Sequence, residues 1–240
     1  QAVSFCMSVL FFTRFSCQQF RGVRADRATV GRILTLGLPT LVQMGSLSVV
    51  LVVMNGLLAP RAGTVGVAAF GYVSRLAEFA LAPFSALCLA AAPIIGSSYG
   101  AGLHSRVRQT VVRTVQLGLV YAVVAVAVCY ALSGALLGIF TRDPAIVQFG
   151  THCLRRLAPA LLFLPPVLTV SAYFQSVNRA KSALVTAGAL PLCLCVGACL
   201  AAPLGTGAVW WAVPIAAAVC AVFCGALYIR QAGKRKRRAL

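Results

Sequence analysis

The stretch that decides the fold occupies residues 64–102 and reads TVGVAAFGYVSRLAEFALAPFSALCLAAAPIIGSSYGAG. It is apolar over more than the ~20 residues that a helix needs to cross ~30 Å of hydrocarbon. Arg75 and Glu78 lie near its middle, where a charged side chain costs ~2.5–3.5 kcal/mol on translocon scales. Membrane carboxylates usually face a cavity or a partner charge, so Glu78 is a candidate functional residue. Because Arg75 and Glu78 are spaced i, i+3 on one helical face, a purely structural ion pair is the alternative.

The composition of the 240-residue chain excludes an ordinary soluble domain, since 60% of its residues are hydrophobic and only 10% are charged. Several apolar runs exceed the ~18 residues typical of a transmembrane helix. We predict an all-α integral membrane protein with a bundle of six transmembrane helices. The chain begins at Gln1, inside an apolar run and without an initiator methionine or a secretory signal. We expect residue 1 to lie inside a longer protein and residues 1–13 to be the end of a preceding transmembrane helix.

Basic residues fall in alternate connections between the apolar runs. Five lie in residues 14–32, three in 104–113, two in 179–181 and six in 230–238, whereas the intervening connections hold only Arg61 and Arg142. The positive-inside rule places the four basic segments in the cytoplasm. We therefore predict a basic inter-lobe loop at 14–32, a six-helix lobe at 33–229 and a basic cytoplasmic tail at 230–240. This distribution explains the net charge of +18 and favours contact with membrane lipids rather than nucleic acid.

Prolines and polar residues predict the breaks between helices. The helix at 33–58 carries Pro39 in its first turns and is followed by a short link at 59–63. Asp143 and Pro144 predict the start of a helix at 144–177, which bends at its central prolines. The remaining helices are predicted at 107–140, 183–202 and 207–229. Trp210 and Trp211 follow the uncharged turn at 203–206, where an aromatic belt is expected.

Gln43 and Asn55 give the helix at 33–58 a polar flank, together with two serines. Polar groups in hydrocarbon usually bond across to a neighbouring helix, and lining a solute cavity is the other interpretation. The sequence does not decide between these two roles.

Neither a catalytic nor a metal site is predicted. Three acids and two histidines provide no paired carboxylates, histidine cluster or nucleophile with a base, so we predict that the chain is not an enzyme. Its ten cysteines include no C-x-x-C and lie mostly in apolar runs, where cysteine packs as a small apolar residue. Pairs such as Cys220 and Cys224 share a helical face, but two thiols without further ligands make a poor zinc site. We expect no cofactor.

Several short motifs resemble the second half of the multidrug and toxic compound extrusion (MATE) transporters. The first four are LGLP at 36–39, VAAFG at 67–71, RLxE at 75–78 and PIIGxxYGA at 93–101. They are followed in the same order by FTRD at 140–143, LR at 154–155, YFQ at 173–175 and GAVW at 207–210. Each motif is loose, but their order and spacing cover nearly the whole chain.

The resemblance implies twelve helices in two six-helix lobes around a central cavity, with this chain forming the C-terminal lobe. It implies export of small organic, often cationic compounds in exchange for Na⁺ or H⁺, with the N-terminal lobe as partner. The location would be the plasma membrane, the inner membrane in bacteria, with both ends of the lobe cytoplasmic. Glu78 lies where many members carry an acid, which implies a role in cation coupling or in balancing substrate charge. The other candidate site residues are Arg75, Gln43, Asn55, Tyr173 and Gln175.

Two further functions stay open at this point. A lipid-linked-sugar flippase of the same superfamily would need a basic cavity, for which Arg155 and Arg156 are the only support. A non-transporting remnant or an interaction subunit is the second alternative, because one lobe holds only half of a cavity. Fold resemblance supports a class of function and leaves the substrate open.

Overall fold

The computed structural model describes residues 4, 6, 7, 10, 11 and 27–236, and these divide between two compact units, Gln1–Leu34 and Thr35–Leu240. In the first unit, Ser4, Cys6, Met7, Leu10 and Phe11 are helical and exposed. Their assignment to the end of a preceding transmembrane helix stays a prediction. Most of the predicted basic loop, residues 14–26, and the end of the basic tail, residues 237–240, lie outside the described residues.

The described part of the chain is helical and contains no strand, which confirms the all-α fold class. Its helices are α1 (Arg27–Gly100), α2 (His104–Ala131), α3 (Ser133–Gly138), α4 (Pro144–Leu157), α5 (Ala160–Ser176), α6 (Ala180–Ala201) and α7 (Thr206–Lys236). A 3₁₀ turn, Ala202–Leu204, joins α6 to α7. The first helix starts at Arg27 and the last continues to Lys236, so the basic segments flanking the lobe are partly helical rather than entirely loop and tail.

A single residue, Gly63, divides α1. Its φ of 59° and ψ of −156° fall in a region that is essentially restricted to glycine, where another residue costs about 1–3 kcal/mol. The predicted link at 59–63 was wrong, because residues 59–62 remain helical and the whole change of direction takes place at Gly63. We call residues 35–62 α1N and residues 64–100 α1C.

The apolar part of α1, Gly37–Gly100, has 64 residues. At 1.5 Å per residue a straight helix of this length would be about 96 Å long, roughly three times the hydrocarbon thickness. The break at Gly63 therefore separates two membrane-length segments.

Pro159 interrupts the helix predicted at 144–177. The two pieces, α4 and α5, meet at an angle of 53° and together are long enough for one broken span. Asp143 begins α4 as predicted: its Oδ1 accepts a hydrogen bond of 2.9 Å from the backbone N–H of Ala145. The helix predicted at 107–140 ends instead at Ala131, and the short α3 follows.

By length and composition, four described helices can cross a membrane, or five when α4 and α5 count as one span. Gly63 also divides the apolar part of α1 in two, and the number of six transmembrane helices stays a prediction. The protein is thus a multi-pass membrane protein.

Two clusters of buried side chains hold the second unit together. The first brings Phe70 and Val73 of α1C against Leu154 of α4 and Trp210 of α7. The second joins Ile95 of α1C to Phe174 of α5 and Cys220 of α7. Trp210 is only 1% exposed, and its ring lies 5.9 Å from that of Phe70 at an interplanar angle of 60°, so its predicted place in an aromatic belt was wrong. Trp211, which is exposed, remains compatible with that position.

Candidate functional site

Arg75 and Glu78 form an ion pair on the surface of α1C. The Nη1 atom of Arg75 lies 2.8 Å from Oε2 of Glu78, which is a full charge-assisted hydrogen bond. The two side chains are 68% and 59% exposed, so neither is covered by the rest of the lobe. It is the only salt bridge between described residues. The predicted i, i+3 pairing is therefore present, and the pair faces outward.

The opposite face of α1C supplies its packing. Val73, Phe84 and Ile95 are buried, and they recur at the spacing of one helical face. On the outer face the exposed neighbours of the pair are Phe79, Ala82 and Ser85. The ion pair therefore shares this surface with one large aromatic ring and with small side chains.

Depth in the membrane makes the pair unusual. Glu78 lies about 21 Å along the helix axis from the start of α1C at residue 64. The other end of α1C, Gly100, is about 33 Å away along the axis, so Glu78 is farther from either helix end than half of a ~30 Å hydrocarbon layer. An ion pair facing lipid at that depth loses its hydration without gaining other partners, and this is costly. A water-filled cavity or a polar partner surface would remove the cost.

Gln43 and Asn55 lie on α1N and are both half-buried. Neither side-chain amide makes a hydrogen bond to another described residue. Ser46, one of the two serines between them, donates a hydrogen bond to the backbone carbonyl of Val42 within its own helix. Bonding across to a neighbouring helix is therefore not observed for the two amides in the described lobe.

Tyr173 and Gln175 both belong to α5, but their side chains have different surroundings. Tyr173 is 5% exposed and packs edge-on against Tyr228 at 5.1 Å, inside the second core cluster. Gln175 is exposed, donates to the hydroxyl of Ser171 at 3.3 Å, and lines a cavity of about 290 Å³ next to Pro39 and Arg179. The six predicted site residues therefore occupy several places rather than one pocket, and the structure joins only Arg75 with Glu78.

A polar network at the end of α7 was not anticipated from the sequence. Arg179 donates to the side-chain carbonyl of Gln231, whose amide donates to Ser182 at 2.7 Å. These contacts fix the connection between α5 and α6 to α7. A signal was present in the sequence, since Arg179 and Gln231 lie at the predicted cytoplasmic ends of their helices, but spacing alone could not pair them.

The cysteines show no metal-binding arrangement within the described residues, where no three histidine, cysteine or acidic side chains come together. Five of them are buried in the lobe: Cys88, Cys129, Cys153, Cys220 and Cys224. The Sγ atoms of Cys220 and Cys224 are 3.9 Å apart and have no further ligand. They pack as small apolar side chains.

The sequence and the fold of this chain are similar to those of known proteins. Residues 39–199, most of the lobe from α1N to α6, match the MatE family. The chain belongs to the MatE family. A curated MatE relative, the multidrug export protein MepA of Staphylococcus aureus (strain N315), is 24% identical over 205 residues, which are 83% of this chain and 44% of MepA. The chain therefore spans about half the length of this relative.

Solved MATE structures share the fold. One in the outward-facing conformation of a multidrug resistance MATE transporter of the MOP superfamily superimposes with a TM-score of 0.89 at 19% identity. The superposition covers 98% of this chain and 55% of the chain in that structure. An inward-facing structure of such a transporter gives a TM-score of 0.83 at 19% identity, over 99% of this chain and 57% of the other. The described lobe thus has the architecture of half a MATE transporter.

Proposed function

We propose that this chain forms the second lobe of a secondary active efflux transporter. It would export small organic, often cationic compounds in exchange for Na⁺ or H⁺. The observation that carries the proposal is the exposed Arg75–Glu78 pair, which stands at membrane depth on a face of the lobe that nothing in this unit covers. A second lobe opposite that face would enclose the pair in a central cavity.

Family membership supports transport, and two features support the two-lobe arrangement. The chain spans about half of MepA, whose name describes multidrug export, and about half of each solved MATE chain. The lobe also resembles both an outward-facing and an inward-facing structure over nearly its whole length. This is what is expected when a transporter alternates by rocking preserved lobes against each other around a central site.

Glu78 would bind the coupling ion or the cationic group of the substrate. A Na⁺ ion, a proton or an organic cation would compete with Arg75 for the same carboxylate oxygen. Because the ion pair lies on an open surface, water in the cavity can hydrate whichever partner is released. Binding at Glu78 would thereby free Arg75, which gives the cavity two charge states without a large change of backbone.

The orientation follows from the loop charges. Residues 104–113 and 179–181 would lie in the cytoplasm of a cell whose plasma membrane holds the protein, in bacteria the inner membrane. Both ends of the six-helix lobe would then be cytoplasmic. Among the described residues, the connections on the other side carry Arg61 and Arg142.

The flippase alternative gains no support from its two arginines. Arg155 donates from Nε to the buried hydroxyl of Ser133 at 3.1 Å. Arg156 lies against α7, where a Cβ added to Gly207 would come within 2.7 Å of its Nη1. Both side chains are thus engaged in contacts between helices of the lobe rather than presented together to a cavity.

Dye accumulation in cells tests the proposed function. Cells that express the complete transporter should accumulate less ethidium than cells without it, and an imposed Na⁺ or pH gradient should change the difference. The gradient that has this effect identifies the coupling ion. Equal ethidium levels under both gradients, with the protein present in the membrane, would contradict transport and favour an interaction subunit.

A further inference from the structure

A groove between α1C and α2 combines a basic wall with an apolar floor. It has a volume of about 600 Å³. Leu87, Ala90 and Ile94 of α1C line its floor, and Arg106, Gln109 and Arg113 of α2 line its wall. We call it the α1C–α2 groove. Its two sides differ in chemistry in the same way as the two parts of a phospholipid.

The positive charge in the groove has no carboxylate partner among residues 27–236. Arg106 and Arg113 are exposed, and neither forms an ion pair among the described residues. The whole sequence contains only three acids, and of these Glu78 is paired with Arg75 and Asp143 caps α4. Two guanidinium groups near a membrane surface without a carboxylate favour a phosphate from outside, which they bind bidentately.

The spacing of the groove residues fits the layers of a bilayer. Arg106 and Arg113 are seven residues apart, which is about 10 Å along α2. From residue 114 to the end of α2 at Ala131 the helix carries no charged residue, so the hydrocarbon boundary lies near Arg113. The head-group layer is about 5–8 Å thick on each side, which places lipid phosphates between the two arginines and beside Gln109.

The groove is separate from the proposed transport site. At 100° per residue, Leu87 and Ile94 lie about 160–180° around the axis of α1C from Glu78. A second lobe that covers Glu78 would therefore leave the groove open to the membrane. Its apolar floor, beginning next to the basic wall, runs toward the bilayer centre.

We propose that the α1C–α2 groove binds one anionic phospholipid of the cytoplasmic leaflet. Its phosphate would lie between Arg106 and Arg113 with Gln109 as a further donor, and one acyl chain would lie along Ile94, Ala90 and Leu87. A negative head group is favoured over a zwitterionic one because the two cations are otherwise unbalanced. The inference uses the membrane orientation proposed above but not the transport activity.

Native mass spectrometry of the complete protein in mild detergent, titrated with phosphatidylglycerol or phosphatidylcholine, tests the proposal. The wild type should retain one phosphatidylglycerol more tightly than phosphatidylcholine. The double variant Arg106→Gln, Arg113→Gln should bind phosphatidylglycerol about tenfold more weakly, as the loss of charge-assisted hydrogen bonds predicts. Arg108→Gln is the matched control, since it removes an exposed arginine of the same helix that does not line the groove.

Two further measurements test whether the acyl chain of the lipid contributes to binding in the groove. Ala90→Phe fills the floor without changing any charge, and it should also weaken retention of phosphatidylglycerol. Inorganic phosphate at millimolar concentration should not displace the lipid, because it has no chain to occupy the floor. Equal binding of the two lipids, equal loss in Arg108→Gln, or unchanged binding in both groove variants would overturn the proposal, as would displacement by phosphate alone.

Discussion

Glu78→Gln is expected to lower the initial rate of gradient-driven efflux by about tenfold or more, equivalent to at least ~1.4 kcal/mol. Glutamine keeps the size and hydrogen-bonding capacity of the side chain but cannot bind a proton or compete for a cation. Because the side chain is exposed and packs against nothing in the lobe, the variant should fold and reach the membrane. The measurement is ethidium efflux from preloaded cells after an imposed Na⁺ or pH gradient.

Asp143→Asn is the matched control for this change. It converts another of the three acids to its amide, at the exposed start of α4, where asparagine caps a helix as well as aspartate does. Efflux should be unchanged. Arg75→Ala should still transport, because it removes only the ion-pair partner and leaves the carboxylate of Glu78 available to a cation. If Glu78→Gln transports normally, the pair is structural and the coupling site lies elsewhere.

Gly118→Ala is expected to have the largest effect on stability. A Cβ at this position of α2 would lie 2.2 Å from Cε2 of Phe84, a buried ring of α1C. The adjacent cavity, lined by Phe84 and Tyr121, has a volume of only about 10 Å³, which leaves the ring little room to move aside. Overpacking of this kind costs about 1–3 kcal/mol, and α2 and α1C should be forced apart.

Gly71→Ala provides the matched control on α1C. Its added methyl group would meet no atom within 4 Å, so the same chemical change should be neutral or slightly stabilising through helix propensity. Thermal unfolding of both variants in detergent, followed by fluorescence-detected size exclusion, measures the difference. A melting temperature of Gly118→Ala equal to that of Gly71→Ala would show that Phe84 can repack and that the contact does not fix the two helices.

Local signals in the sequence predicted much of the architecture. Asp143 followed by Pro144 marked the start of α4, and the proline-rich run after Arg156 marked the bend, because both effects depend on a few adjacent residues. The extent of the link near residue 60 was not predictable in the same way. The sequence analysis predicted a link over 59–63, whereas the structure keeps residues 59–62 helical and turns at Gly63 alone.

The candidate site was harder to predict than the fold. Arg75 and Glu78 could be paired because their contact lies within one helical turn. Tyr173 carries a polar hydroxyl group on an aromatic ring, which made it a candidate for lining a cavity. Packing against Tyr228, 55 positions later in the chain, instead buries it. Trp210 was misplaced for the same reason, since its neighbour Phe70 belongs to a distant helix. Hydropathy places a residue in the membrane, and only tertiary packing decides whether it faces the core, the lipid or a cavity.

We expect the face of α1C that carries Arg75 and Glu78 to line a water-filled cavity in the complete transporter. Labelling with a water-soluble maleimide tests it most directly, in a background whose native cysteines are replaced by alanine or serine. Ala82→Cys shares the exposed face with Glu78, and Val120→Cys is a control that is also exposed, in the middle of α2. Position 82 should be labelled, and position 120, which would face lipid, should not. Failure to label position 82 under any imposed gradient, or equal labelling of both positions, would contradict it.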